Sequence, residues 1–187
     1  MNPRSGSTVL VVDDSEIDRF LLRAILEGEG YRALSAPDGP TGRGLAAAAL
    51  PDAILLDVVM PGEDGFATCA ALKRDPRTAS IPVLFLSALE DADSKVRGLA
   101  AGAVDYVTKP PNRDEVLARV ALHIRLHRST ELLIREQAER LAVVGAAQKL
   151  LLTDPASVPE ARVRVFHRTL HEAGGDFYEA LPLGRGG

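Results

Sequence analysis

Five polar positions stand where a short apolar run stops. Asp13 and Asp14 follow residues 8–12, Asp57 follows 53–56, Ser87 follows 81–86, and Lys109 follows 104–107 by two residues. Each run is bounded by turn-forming residues, the pattern of a strand buried on both faces. Three carboxylates brought to one place repel one another unless a cation lies between them. Carboxylate oxygens with a carbonyl and water suit Mg2+ or Mn2+. A carboxylate can also attack phosphorus to give an acyl phosphate, through a transition state that spreads charge over three equatorial oxygens. A metal ion and the Lys109 ammonium would balance that charge from two sides, with the Ser87 hydroxyl as a further donor. Taken singly, the residues have plainer roles: Asp57 as a turn or capping residue, Ser87 as a helix N-cap. The chemistry requires that they meet.

The elements around them predict that they do. Five strands, at residues 8–12, 31–36, 53–56, 81–86 and 104–107, alternate with helical segments. Ser15 caps the first helix, in which Ile17, Leu21, Leu22, Ile25 and Leu26 recur at helical spacing, and Gly28 and Gly30 close it. Asp38-Gly39 opens a second helix ended by Pro51, Asp64 caps a third ended by Asp75-Pro76, and a fourth covers 90–101. Strands alternating with helices imply an α/β fold with a parallel sheet, whose strand C-terminal ends lie on one edge.

The composition is that of a globular protein, with 46% hydrophobic and 26% charged residues. The net charge of −4 argues against nucleic acid as a partner, and the excess of acids falls before residue 112. Cys69 is the single cysteine, so no disulfide forms within the chain; it is expected to be a small core residue. No apolar run is long enough to span a membrane and residues 1–7 have no signal character, so a cytoplasmic location is expected.

From Asn112 to about residue 151 the pattern predicts one long helix. Val120, His127, Ile134, Leu141 and Gln148 are seven apart, which predicts a coiled coil and, as the simplest partner, the same helix of a second copy. Glu115–Arg119, Glu131–Arg135 and Glu136–Arg140 are i,i+4 pairs in the favourable order. His123 and His127 on this helix are taken as solvated or seam residues. A linker with two prolines follows, then an alternating segment at 162–170 and Gly174-Gly175-Asp176-Phe177. His167 and His171 are four apart, about 13 Å along a strand, and are rejected as a ligand pair.

Val11-Val12-Asp13-Asp14, Leu55-Leu56-Asp57-Val58-Val59-Met60-Pro61-Gly62, Leu86-Ser87-Ala88 and Asp105-Tyr106-Val107-Thr108-Lys109-Pro110 resemble the receiver domain of two-component response regulators. The resemblance covers about residues 8–125 and implies a five-stranded, doubly wound, flavodoxin-like (CheY-like) fold. It implies that Asp57 is the phospho-acceptor, that Asp13, Asp14, Asp57 and the Val59 carbonyl hold Mg2+ or Mn2+, and that Lys109 serves the phosphoryl group. Ser87 and Tyr106 would be the switch pair. The implied partner is a histidine kinase or phosphotransfer protein.

Glu63, where Met is common in that family, and Pro111, a second proline after Lys109, are expected not to touch the chemistry. Residues 153–187 resemble the start of a PP2C-type serine/threonine phosphatase domain of the stage II sporulation E-like branch. There Asp176 would bind Mn2+ or Mg2+, and the substrate would be a phosphoprotein such as an anti-anti-sigma factor. A diguanylate cyclase start, or a stand-alone receiver, are the competing readings. The expected organisation is a tail at 1–7, a receiver at 8–125, a linking helix at 112–151 and a β stub at 153–187.

Overall fold

The computed structural model describes residues 6–88, 97–98 and 100–151. Two compact units are distinguished, Met1–Ser129 and Thr130–Gly187. The first contains β1 (Thr8–Val12), α1 (Glu16–Gly28), β2 (Arg32–Ala36), α2 (Gly39–Ala49), β3 (Ala53–Asp57), α3 (Gly65–Arg74), β4 (Val83–Ser87) and β5 (Asp105–Thr108). A long helix, Arg113–Leu151, begins in this unit. The sheet order is β2-β1-β3-β4-β5, and every neighbouring pair is parallel.

β1, β3 and β4 are short because each is an apolar run cut off by a turn residue, and they are almost wholly buried. Their side chains divide by period two between the faces. Val9, Val11, Leu55, Leu84 and Leu86 pack with Leu22 and Leu26 of α1 and with Val116, Val120 and Ile124 of the long helix. Leu10, Val12, Ile54, Leu56 and Phe85 pack on the other face with Ala46, Cys69 and Leu72. Cys69 is a buried free thiol, as its small-core reading expects, and burial raises its pKa to about 11. The caps fall at the expected places: Ser15 accepts from the Asp18 N–H, Asp38 from Thr41 and Asp64 from Ala67.

Several sequence expectations change. The fourth strand starts at Val83, because Pro82 has no N–H for the ladder. Ile17 and Leu21, counted in the apolar stripe of α1, are exposed at 78% and 42%, so the stripe is wider than the buried face. Val120, assigned to a coiled-coil seam, is fully buried in the receiver-side core, and Ile124 nearly so. A heptad spacing does not distinguish a partner helix from the helix's own sheet. Ile134 and Leu141 are exposed, and the Glu115–Arg119 and Glu136–Arg140 pairs form. His123 is not a solvated residue: its Nε2 lies 2.9 Å from Asp105 Oδ2. Glu63 ties the loop after β3 to two helices, accepting from Arg43 of α2 and from the Thr68 hydroxyl of α3.

In the second unit the described part is the helix through Leu151. Most of the expected helix at 90–101, and the expected elements at 153–187, lie outside the described residues. No helix among those described is long and apolar enough to cross a membrane.

Candidate functional site

The order β2-β1-β3 means that the chain leaves β1 in one direction and builds the rest of the sheet in the other. The ends of β1 and β3 therefore flank the crevice where such sheets place ligands. Val12 pairs with Leu56 in register, so Asp13 and Asp57 emerge side by side. Ligand oxygens of Asp13, Asp14 and Asp57 all lie within 4.8 Å of one another. Asp13 and Asp57 are buried, and Asp14 is exposed at the crevice mouth. An all-oxygen set of this size fits a hard divalent cation such as Mg2+.

The two buried carboxylates are held. Asp13 Oδ1 accepts from the Ser15 N–H at 2.9 Å, and the Asp13 carbonyl accepts from Arg19 at 2.6 Å. Asp57 Oδ1 accepts from the Val59 N–H at 3.2 Å. Gly65 stands against the Asp57 backbone: a Cβ there would overlap the Asp57 carbonyl oxygen and come within 2.8 Å of Val58 Cα. The start of α3 thus needs a glycine because it rests on the strand end.

Lys109 reaches across from the loop after β5. Its Nζ lies 2.7 Å from Asp13 Oδ2, 2.7 Å from Asp57 Oδ2 and 3.2 Å from Asp18 Oδ2. Burial pushes the Asp57 carboxyl above its ordinary range, against the pull of the Lys109 hydrogen bond. Burial also works against the Lys109 ammonium, but its hydrogen bonds to Asp13 and Asp57 outweigh that and raise its pKa. Both groups are poised by the same contact.

Ser87 ends β4 and is buried, one residue past Leu86, the register partner of Asp57, and its carbonyl accepts from the Lys109 N–H at 3.0 Å. Tyr106 pairs with Phe85 in register, which places it on the sheet face of Phe85 and Ser87. Its ring lies 5.6 Å from that of Phe85, which meets Phe66 edge-on at 5.2 Å. The Arg97 guanidinium sits 4.5 Å above Phe66. The Tyr106 hydroxyl lies against the backbone of Gly98, where a Cβ would overlap it.

Residues 9–121 match the response regulator receiver domain. The chain belongs to that family. The chain is 44% identical over 148 residues to the response regulator PleD of Caulobacter vibrioides, covering 78% of this chain and 33% of that protein. It is 38% identical over 112 residues to protein PilH of Pseudomonas aeruginosa, covering 60% of this chain and 93% of that protein. This chain thus spans only a third of PleD's length. Among solved structures, the chemotaxis protein CheY4 of Vibrio cholerae aligns with a TM-score of 0.60 at 31% identity, over 64% of this chain and 99% of that chain. The receiver domain of the sensor histidine kinase PA1611 of Pseudomonas aeruginosa, solved with a magnesium ion coordinated in its active-site cleft, aligns at 0.60 and 28% identity, over 64% and 98%. The receiver expectation, with its five-stranded parallel α/β fold and long last helix, stands.

Of the residues singled out from sequence, the structure gathers Asp13, Asp14, Asp57 and Lys109 at one point. Ser87 and Tyr106 stand one strand and two strands away. The Val59 side chain points to solvent, and its N–H turns back to Asp57. Asp176 lies outside the described residues. Sequence reasoning missed Asp18. Its place in the first turn of α1 can be read from the Ser15 cap, but no local signal ties it to Lys109.

Proposed function

We propose that this receiver takes a phosphoryl group on Asp57 from a histidine kinase or phosphotransfer protein and passes the change to an output through its long helix. One observation carries the reading: Asp57 is a buried carboxylate with Lys109 Nζ at 2.7 Å and the Asp13 and Asp14 oxygens within 4.8 Å. An Asp57 oxygen attacks phosphorus, an O–P bond forms, the donor's N–P bond breaks, and the imidazole leaves with the electron pair. Asp13, Asp14, Asp57 and the Val59 carbonyl would hold Mg2+ or Mn2+. When bound, the ion supplies positive charge to the equatorial oxygens. Lys109 donates to one of those oxygens, and the Ser87 hydroxyl donates to another. Ser87 drawn toward the phosphoryl group leaves room for Tyr106 to move inward, which shifts an existing equilibrium.

Incubation with acetyl phosphate and Mg2+, followed by intact-mass measurement, tests the assignment. The natural protein should gain one phosphate. Asp57→Asn should gain none while keeping its fold, and phosphate uptake by that variant would place the acceptor elsewhere. Titration with Mg2+ should raise the unfolding temperature of the natural protein and not that of Asp13→Asn.

For the output, we favour a PP2C-type protein serine/threonine phosphatase. The support is Gly174-Gly175-Asp176-Phe177 after a proline-containing linker, with Asp176 as a ligand for Mn2+ or Mg2+. A diguanylate cyclase output shares the Gly-Gly-Asp triplet, but Phe177 directly follows Asp176 where Glu-Phe would be required. Mn2+-dependent phosphatase activity in a protein extended beyond Gly187, lost on Asp176→Ala, separates the two. Exposed Ile134 and Leu141 favour a homodimer along the helix beyond the receiver core. Analytical ultracentrifugation with and without beryllofluoride reads both the dimer and its dependence on the phosphorylated state.

A further inference from the structure

Lys109 has three N–H bonds, and three carboxylates accept them. Two acceptors, Asp13 Oδ2 and Asp57 Oδ2 at 2.7 Å, belong to the cluster suited to a divalent cation. The third, Asp18 Oδ2 at 3.2 Å, does not. Asp18 sits in the first turn of α1, where its own N–H donates to the Ser15 cap at 3.3 Å. Its carboxylate is therefore placed by the helix start, independently of the metal-facing oxygens.

Resting on the reading that Asp57 is phosphorylated, we propose that Asp18 is a positioning residue for Lys109. Once the Asp13 and Asp57 oxygens turn to a cation and to phosphorus, two of the ammonium's three acceptors are withdrawn. The Asp18 carboxylate keeps the ammonium over the crevice and leaves its other N–H groups free for the phosphoryl oxygens. As the Asp57 O–P bond forms and the donor's bond to phosphorus breaks, the Lys109 ammonium is already in place. A flexible lysine side chain without that tie spends more time away from the reacting group.

The experiment measures the rate of Asp57 phosphorylation by acetyl phosphate at saturating Mg2+, across donor concentrations. Asp18→Asn should lower the maximal rate roughly tenfold and leave the half-saturating donor concentration unchanged. Asp18→Glu should restore most of it, since a carboxylate returns. In a Lys109→Ala background, Asp18→Asn should have no further effect. With 13C-labelled lysine, the Lys109 Cε resonance of the unphosphorylated protein should move on Asp18→Asn. A full rate in Asp18→Asn, an equal loss in the Lys109→Ala background, or an unmoved resonance would each overturn the proposal. Phosphate uptake by Asp57→Asn would instead overturn the reading beneath it, so the two failures are distinguishable.

Discussion

The hydroxyl of Tyr106 rests on the backbone of Gly98, in a notch that exists because residue 98 has no side chain. A Cβ there would overlap the hydroxyl and stand 3.0 Å from Phe85 Cε2. The aromatic row Phe66, Phe85 and Tyr106 is closed at one end by this glycine and at the other by the Arg97 guanidinium.

Gly98→Ala should dislodge Tyr106 from Phe85. Residues 97 and 98 are helical and alanine is the better helix former by about 0.5–1 kcal/mol, so the backbone at residue 98 is expected to keep its conformation. The change is read as a new Tyr106 rotamer in a crystal structure, or as a shifted 19F resonance in fluorotyrosine-labelled protein. An unmoved ring would show that the notch is not what seats it.

Gly65→Ala should destabilise the protein by about 1–3 kcal/mol, the usual cost of overpacking. The atoms that a methyl group would meet belong to the Asp57 and Val58 backbone, which cannot rotate aside. Urea denaturation measures the loss. The phosphorylation rate should fall with it, because the displaced backbone carries the Asp57 carboxylate.

Asp105 predicts a pH dependence. Burial works against its charged form, but hydrogen bonds from His123 and Arg119 outweigh this and set its pKa below the ordinary 3.8. The folded state therefore binds fewer protons than the unfolded state in that range. The resulting stability is fully present above the ordinary carboxylate range and is lost as pH falls through the depressed value. Asp105→Asn should cost about 1–2 kcal/mol at neutral pH. Its deficit should shrink below roughly pH 4, where the natural residue also becomes neutral. Chemical denaturation at both pH values provides the comparison, and a deficit independent of pH would contradict it.

Arg128 holds the last receiver turns of the long helix to the strand starts. It donates to Asp52 Oδ1 at 2.6 Å and to the Ser7 hydroxyl at 3.0 Å, while Asp52 Oδ2 accepts from the Thr8 N–H at 2.8 Å. Arg128→Ala should cost about 1 kcal/mol. Amide exchange should quicken in the helix from residue 124 to 129 and leave β3 and β4 unchanged.

The candidate site was legible because its residues interrupt apolar runs. Asp13 and Lys109 stand just after strands, Asp57 and Ser87 are the last residues of theirs, and a parallel sheet puts all such ends together. What was not legible depends on distances across elements. Nothing local marks Asp18 as a partner of a lysine 91 residues away. Nothing near Gly98 says that a tyrosine lies on it. The heptad spacing placed Val120 in a coiled coil because hydrophobic periodicity reports that a face is buried and not by what. His123 reads as a solvated or seam residue in the sequence because Asp105 reaches it from another element.

One hydrogen bond between β4 and the loop after β5 now takes on weight. The Lys109 N–H donates to the Ser87 carbonyl at 3.0 Å, so the two residues proposed to donate to the phosphoryl group share a rung of the backbone ladder. A pull on the ammonium and a pull on the hydroxyl load the same peptide units. With Lys109 and Ser87 in their proposed roles, the two responses are expected to be coupled through this peptide-to-peptide bond.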